Sequence, residues 1–255
     1  MALKLGTTSL NKLYLGSTEI KTAYLGADVL FSSGFNPLSL FGAGDDGWYW
    51  EPSLATTFTD VARTTSAAVG DGIGGVTDLS GKANHGFQGT ASRRMVLRQA
   101  ANGSYYYESD AVDDVLRGDM SLSGKRMTVA MAYRPIARAS MLMYDGIAQD
   151  KFIGVTASGS SNDGISRGAT INSLHFDNVL STGTTRGDLY TSVQASKSFV
   201  LDTTLDAVAW EPGFGRYSNF DFYAPGDIFA LFGIDRELTA TERANLDAHL
   251  SALVP

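Results

Sequence analysis

Residues 127–134 read Met127-Thr128-Val129-Ala130-Met131-Ala132-Tyr133-Arg134 and carry the strongest strand signal in the chain. Shorter segments of the same kind lie on both sides, at 48–51, 104–108, 151–155 and 228–234. Gly, Ser, Asn and Asp, which favour turns, separate these segments. Many short strands at a spacing of roughly 8 to 12 residues are typical of a sandwich. We therefore predict an all-β fold, a two-sheet jelly-roll sandwich.

One helix is predicted at the end of the chain. Thr239 and Glu242 have the spacing of a capping box, in which each side chain bonds the backbone N–H of the other residue. Leu246, Leu250 and Leu253 follow at helical spacing. This helix should pack its leucine stripe against the sandwich and end near the C-terminus.

Composition supports the same fold and narrows the partners. Charged residues make up 18% of the 255 residues, below the usual ~25%, and 28 glycines suit a fold with many tight turns. The net charge is -7 with no block of Lys and Arg, which argues against nucleic acid as a partner. The chain has no cysteine, and we see no apolar run of signal-peptide or membrane-spanning length, so we expect no membrane insertion.

Three ten-residue repeats precede the sandwich. Leu-Gly pairs recur at Leu5-Gly6, Leu15-Gly16 and Leu25-Gly26. Each unit has room for one short strand and one turn, so the segment is predicted to be a β-meander of about thirty residues, which is too small for a core of its own. We therefore expect it to be a docking segment. Its candidate docking residues are Leu5, Tyr14, Leu15, Tyr24, Leu25 and Leu30.

The boundary between these parts is drawn at a linker. Residues 32–37 read Ser-Ser-Gly-Phe-Asn-Pro, a cluster of loop-forming residues. The predicted domains are a docking segment at 1–35 and a sandwich domain at 36–255.

Four stretches of the sandwich domain resemble one known family. Residues 57–72, which begin Thr-Phe-Thr-Asp, are similar to that family's opening loop, and the helix beginning at Leu238 is similar to its terminal helix. Residues 78–85 read Asp-Leu-Ser-Gly-Lys-Ala-Asn-His and resemble its DLSGNGNH signature, with Lys82-Ala83 in place of Asn-Gly. Residues 110–116 resemble DGVDDYL, with Ala111 in place of Gly and Val115 in place of Tyr.

The family is that of the concanavalin A-like (laminin G-like) jelly-roll domains of phage tail and other virion proteins. The opening Leu-Gly repeats also resemble segments at the front of phage tail-fibre-like proteins. The resemblance implies a tail-fibre, tail-tip or head-spike protein, made in the host cytoplasm and acting outside the cell as part of the virion. It implies other virion proteins as partners and a homo-oligomer, a trimer by analogy alone.

The resemblance leaves three functions open, because this sandwich hosts lectins, enzymes and structural modules. The first is a non-enzymatic adhesin that binds a host-surface polysaccharide. The second is a structural decoration or spacer, and the third is a capsule depolymerase. Hydrolysis needs two carboxylates flanking the scissile bond. Glu108 and Asp110 are the one pair on a predicted strand face, and we expect them to be structural and the protein not to be an enzyme.

Metal and acid-base sites have equally modest signals. Asp110, Asp113 and Asp114 supply the oxygen ligands that Ca²⁺ prefers, but Asp side chains in such a turn more commonly accept backbone N–H bonds. We expect no cofactor, with Ca²⁺ at this turn as the alternative. His85 has no partner at a catalytic spacing and is predicted to tie down a turn.

The sugar-binding candidates are aromatic. Sugar rings stack on flat aromatic faces, and residues 210–220 combine aromatic with polar side chains in a predicted loop. The candidate ligand-binding residues are Trp210, Phe214, Arg216, Tyr217, Asn219 and Phe220.

Overall fold

The structure is a computed structural model of the chain. It describes residues 4–5, 8–9, 13–15, 18–20, 22–25, 28–32, 35–110, 112–122, 124–135, 140–145, 152–155, 166–183, 185–206, 210–215 and 226–255. The chain divides into two compact units, Met1–Pro37 and Leu38–Pro255, two residues beyond the boundary drawn at the linker.

The first unit contains three antiparallel hairpins, one in each ten-residue repeat. They are β1 (Lys4–Leu5) with β2 (Thr8–Ser9), β3 (Leu13–Leu15) with β4 (Thr18–Ile20), and β5 (Thr22–Leu25) with β6 (Asp28–Ser32). Each repeat therefore holds two strands, where we predicted one. Two residues beginning with Gly separate the strands of each pair, the sequence that a tight hairpin turn needs. All six candidate docking residues fall in these strands, and their side chains lie outside the described residues.

The second unit is a sandwich of two antiparallel sheets. Its strands, in chain order, are β7 (Gly47–Trp50), β8 (Thr57–Phe58), β9 (Gly75–Val76), β10 (Gly86–Phe87), β11 (Val96–Gln99), β12 (Tyr105–Glu108), β13 (Val115–Gly118), β14 (Arg126–Pro135), β15 (Ser140–Asp145), β16 (Phe152–Val155), β17 (Ser166–Arg167), β18 (Ala169–Phe176), β19 (Val179–Leu180), β20 (Ser198–Leu205), β21 (Pro212–Gly215) and β22 (Gly226–Ile234). Sheet I runs β11-β12-β22-β14-β20-β18-β19, and β7 also pairs with β22. Sheet II runs β17-β16-β15-β21-β13-β10-β9-β8. The predicted all-β sandwich is confirmed.

Strand β22 organises sheet I. One edge pairs with β14 over most of its length. The other edge pairs with β12 near its start and with β7 near its end. The segment 127–134 lies in β14, and its residues Met127 to Tyr133 are buried, because the core covers one face of the strand and the C-terminal helix contacts the other.

The core lies between the two sheets. Val129, Met131 and Leu231 of sheet I belong to the same buried cluster as Leu116 and Phe214 of sheet II. Alternate residues of a strand face opposite ways, so the other residues of β14 and β22 face away from this core. The helix predicted at the C-terminus covers part of that outer face.

This helix, α2 (Ala240–Leu253), contacts β14, β20 and β22. Thr239 caps it, and both hydrogen bonds of the predicted capping box with Glu242 are present. Leu246 and Leu250 are buried against sheet I. The chain as described contains no helix long and apolar enough to cross a membrane.

A second helix, α1 (Arg186–Ala195), was not predicted. Thr185 and Asp188 form its capping box, and Leu189 and Val193 are buried in the sandwich core. Two apolar residues are too few to produce a clear helical pattern in the sequence, since the rest of this helix is polar.

The pairing of β7 with β22 yields a test of the core. Gly233 lies opposite Trp48, and a Cβ at this glycine would overlap the indole ring of Trp48. Because the ring is fully buried and has no room to move, we expect Gly233→Ala to lower the free energy of unfolding by about 2 to 3 kcal/mol. Chemical denaturation measures this change. Gly89→Ala, where an added Cβ meets nothing within 4 Å, should leave stability within about 0.5 kcal/mol, and equal effects of the two would contradict the packing.

Candidate functional site

The predicted sugar-binding cluster is not a surface loop where the structure describes it. Residues 212–215 form β21, a strand between β13 and β15 in sheet II. Trp210 and Phe214 are both 0% exposed and belong to the core. The Trp210 indole N–H donates to Asp206 Oδ1 at 2.9 Å. Since a fully buried ring offers no face to a sugar, these two predictions are corrected. The remaining four candidates, Arg216, Tyr217, Asn219 and Phe220, lie outside the described residues.

A different site is formed on the sandwich by residues from three separate segments. It is a groove of about 200 Å³, which we call the Arg63 groove. Its lining residues are Val61, Arg63, Ala83, His85, Phe87 and Asp119. The groove combines an aromatic ring, an aliphatic side chain, a guanidinium, an imidazole and a carboxylate, which is the mixture of apolar surface and a few polar groups typical of ligand sites.

The first wall of the groove is the turn after β8. The Asp60 carboxylate accepts from the backbone N–H groups of Thr64 and Thr65, at 3.1 and 2.7 Å, and folds the turn on itself. The turn packs closely against Gly75 of β9. A Cβ added at Gly75 would lie 2.6 Å from Asp60 O and 2.8 Å from Arg63 Cγ, which leaves no room for a side chain there. The missing side chain of Gly75 therefore leaves the space that the stem of Arg63 occupies.

The second wall is the segment 78–85, held by the buried carboxylate of Asp78. Asp78 Oδ1 accepts from the backbone N–H groups of Tyr49 and Ser80, both at 2.9 Å. Its Oδ2 accepts from the Ser80 hydroxyl at 2.6 Å and from the Asn84 backbone N–H at 3.0 Å. Four donors satisfy the charge of this carboxylate away from water, so the turn is rigid.

Asn84 and His85 complete this wall. The Asn84 side-chain amide donates to Gly47 O at 2.7 Å and to Asp46 Oδ1 at 2.8 Å. His85 Nδ1 accepts from the Asp78 backbone N–H at 3.1 Å, which confirms the prediction that this histidine ties down a turn. A backbone N–H can only donate, so Nδ1 carries no proton and the Nε2–H of the neutral ring remains as a donor. Burial and, next, the charge of Arg63 lower the pKa of His85.

The floor comes from sheet II. Phe87 of β10 is partly exposed, and the Arg117 guanidinium lies 5.1 Å from its ring centroid. Asp119, which follows β13, is exposed and lines the same groove. Strand pairing places Phe87 opposite Arg117, so the position of the ring is set by the sheet.

Two lining residues adopt a backbone conformation that L-residues rarely adopt. Arg63 has φ +58° and Ala83 has φ +62°. Only two other non-glycine residues in the described chain share this feature, Asp177 and Asn178, which form the two-residue turn between β18 and β19. Left-handed conformations cost roughly 1 to 2 kcal/mol per residue and are concentrated at functional sites. Two of the four such residues in the described chain therefore line this groove.

The acidic turn at 110–114 behaves as a turn. Asp110 Oδ1 accepts from the backbone N–H groups of Val112 and Asp113, and Asp114 Oδ2 accepts from the Asp110 N–H. Asp113 also lies 3.6 Å from Arg93. One carboxylate oxygen from each of the three aspartates lies within 4.8 Å of the others, so the geometry leaves Ca²⁺ as the alternative. Burial, together with the charges of Asp110 and Asp113, raises the pKa of Asp114 to about 7.

The pair considered for hydrolysis is engaged in structure. Glu108 Oε2 lies 2.7 Å from Arg98 Nε in a partly exposed ion pair between β11 and β12. The Asp110 carboxylate accepts two backbone hydrogen bonds, as described above. Neither carboxylate lines the Arg63 groove.

Sequence reasoning found the two walls of this groove without recognising the site. The turn after β8 and residues 78–85 are two of the four stretches that carry the family resemblance. Arg63, Phe87 and Asp119 went unnoticed because no motif links them, and only folding brings their three segments together. The one usable signal was Lys82-Ala83 in the signature, since a non-glycine residue at a turn position is unusual.

Ala83 provides a test of the strain. Glycine has no Cβ to clash in the left-handed region, so we expect Ala83→Gly to raise the free energy of unfolding by about 1 kcal/mol. Chemical denaturation of the two proteins measures this. Ala68→Gly, at a position without positive φ, should instead be neutral or destabilising. A loss of stability in Ala83→Gly would contradict the assigned backbone conformation.

Asp114 provides a test of the acidic turn. Its raised pKa means that the folded protein holds the Asp114 proton more tightly than the unfolded chain does. Protonated Asp114 therefore contributes its full stabilisation of the folded state below about pH 4, and this stabilisation is lost as the pH rises through about 7. Asp114→Asn cannot ionise and so avoids the cost of a buried charge at high pH. Relative to wild type, its free energy of unfolding should therefore rise by at least about 1 kcal/mol between pH 5 and pH 8 in EDTA. Unfolding curves at both pH values measure the difference. A large rise in wild-type stability on adding Ca²⁺ at pH 8 would instead favour the metal alternative.

Comparison of the chain with protein-family models, with curated proteins and with solved structures gives no match. What this protein binds is therefore inferred from the chemistry of its own residues. In the described part of the chain, the Arg63 groove is the site where an aromatic ring, several polar groups and backbone strain coincide.

Proposed function

We propose that this protein is a phage-type virion protein, part of a tail fibre, tail tip or head spike, that binds a host-surface glycan. It is made in the host cytoplasm and acts at the cell exterior. Its N-terminal segment attaches it to other virion proteins, and its sandwich presents the binding site. It acts by binding and not by catalysis.

The observation that carries this proposal is the composition and placement of the Arg63 groove. Phe87 supplies an aromatic surface, Arg63 and His85 supply donors, and Asp119 supplies an acceptor, which together match the apolar faces and hydroxyl groups of a sugar. At about 200 Å³ the groove is smaller than the roughly 300–1,000 Å³ of drug-sized pockets, so it suits one sugar unit of a longer chain. Both walls come from stretches that resemble the virion family.

The resemblance gains support from Ala83. This residue stands where the family signature has Gly, and its φ of +62° is a conformation that favours glycine. A glycine-requiring turn at the matching position is what the signature implies. The substitution to Ala keeps the turn at some energetic cost.

Attachment through the repeats rests on their small size. Three two-stranded hairpins are each marginal in water, because a hairpin needs further strands or a packed surface for stability. Docking on other virion proteins or on sister subunits would supply that surface. A homo-oligomer, by analogy a trimer, would also multiply a weak single-site affinity, since linked sites bind with a high effective concentration.

The second candidate, a structural decoration or spacer, is favoured by one observation. Trp48, Trp50 and Trp210, with Tyr107 and Phe214, are all fully buried, so the largest aromatic side chains serve the core. A rigid spacer needs this core and no binding surface. A depolymerase is the weakest candidate, because Glu108 is paired with Arg98 and lies outside the groove.

The proposal is tested with a panel of purified bacterial capsular and O-antigen polysaccharides. The full chain, alone and presented on a multivalent carrier, is mixed with each polysaccharide and followed by size-exclusion chromatography with light scattering. We expect co-elution with at least one polysaccharide whose mass stays unchanged. Phe87→Leu, which keeps apolar volume but removes the aromatic face, should weaken this binding about tenfold or more.

Val179→Ala is the matched control, because Val179 is an exposed apolar residue outside the groove. It should bind as wild type does. Shortened polysaccharide would overturn the non-enzymatic function in favour of a depolymerase. Absence of co-elution with every member of the panel, also on the multivalent carrier, would favour the structural module.

A further inference from the structure

Arg63 has no carboxylate partner among the described residues, unlike five other arginines of the described chain. Arg93, Arg98, Arg126, Arg134 and Arg236 each form an ion pair with Asp or Glu. Among the residues that the structure describes, Arg63 forms no ion pair, and its one side-chain hydrogen bond is a long one of 3.4 Å to Val61 O. A guanidinium has five N–H donors in a planar fork that matches a carboxylate or a phosphate, so most of its binding capacity is unused.

The backbone holds this guanidinium in the groove at a cost. Arg63 occupies a left-handed conformation, although glycine or asparagine would adopt it with less strain. Its stem lies over Gly75, where no other residue would leave room. The turn conformation and the space over Gly75 together fix where the Arg63 side chain leaves the backbone, so the guanidinium is positioned at the groove.

His85 adds a second hydrogen-bond donor. It lines the same groove as Arg63, and the Nε2–H of its neutral ring is free to donate to a ligand. The nearby Asp60 carboxylate is occupied by the backbone of its own turn, and Asp78 by its four donors. Asp119 is the one carboxylate that lines the groove. The groove therefore presents two donor side chains, Arg63 and His85, beside one acceptor carboxylate, Asp119.

We infer that the Arg63 groove recognises an acidic sugar unit, whose anionic group binds Arg63 and the His85 Nε2–H while its ring packs on Phe87 and a hydroxyl donates to Asp119. This inference rests on the glycan-binding function proposed above and names its ligand class. The shared chemistry is a carboxylate or a phosphate carried on a saccharide. A neutral sugar would leave the guanidinium without a partner when the groove loses water, which is unfavourable.

The test uses three sugars that differ only at C6: glucuronate, glucose 6-phosphate and glucose. Isotope-labelled full-length protein is titrated with each and followed by NMR of its imidazole and backbone signals. The chain has three histidines, and the other two do not line the groove: His175 is buried in sheet I, and His249 lies 3.1 Å from the Tyr49 hydroxyl. His85 is therefore a specific reporter.

We expect one or both anionic sugars to shift the His85 and Phe87 signals with a Kd at least about tenfold lower than glucose, the change that a charge-assisted hydrogen bond supplies. Arg63→Gln should abolish this preference, and Arg63→Lys should retain part of it. Arg93→Gln, which changes an arginine outside the groove, should leave it intact. Backbone spectra that match wild type outside the groove show that the Arg63 variants are folded.

Each other outcome separates the inference from the proposed function. Equal affinity for glucose and both anions overturns the acidic specificity while glycan binding stands. If inorganic phosphate binds as tightly as glucose 6-phosphate, the groove is an anion site that does not recognise the sugar ring, and the inferred acidic-sugar specificity is overturned. Polysaccharide binding without any shift of the His85 signals would place the glycan site outside this groove. If no sugar and no polysaccharide binds, both the proposed glycan binding and the inferred acidic-sugar specificity are wrong. Binding of glucuronate alone or glucose 6-phosphate alone supports the inference and identifies the anionic group.

Discussion

The buried carboxylate of Asp78 joins the sandwich to its groove. It accepts the Tyr49 backbone N–H from β7 and three donors from its own turn, so the turn cannot move without breaking charge-assisted hydrogen bonds away from water. The Asp78 backbone N–H holds the ring of His85, and the Asn84 carbonyl accepts the Trp50 indole N–H at 2.8 Å. Strand β7 is in turn paired with β22, an interior strand of sheet I. The wall of the groove is thus tied to the most buried part of the fold.

Rigidity of this kind explains how an unpaired guanidinium and a strained backbone can persist. A flexible loop would relax the left-handed residues Arg63 and Ala83, or fold the arginine back onto a nearby carboxylate. Here one wall is closed by Asp60 and by contact with Gly75, and the other by Asp78. Binding energy would then not be consumed in ordering the site, which matters most for weak ligands such as single sugar units.

The arginines of this protein differ in whether they pair with carboxylates within the fold. Five arginines are paired with acids, several of them across strands, as Arg98 is with Glu108 and Arg126 with Asp202. Lys125 bridges Asp46 and Asp235 beside the signature turn. These partly exposed pairs orient segments and contribute little stability each. Unlike these five arginines, Arg63 forms no ion pair among the described residues, and its guanidinium lines a groove where a ligand can reach it.

Local sequence determined the parts of this fold whose forces act over a few residues. The apolar run at 127–134 predicted β14, the spacing of Thr239 and Glu242 predicted the cap of α2, and the DLSG-type segment predicted a hydrogen-bonded turn around His85. Tertiary structure decided the rest. An aromatic residue such as Trp210 or Phe214 looks alike in sequence whether it faces the core or water, so only the packing of two sheets showed that both are buried. Helix α1 contributes only two residues to the core, Leu189 and Val193, so its sequence shows no clear helical pattern and only the structure revealed it. The groove itself joins Arg63, His85 with Phe87, and Asp119 from three segments. No local pattern can bring together residues whose proximity depends on strand pairing within sheet II.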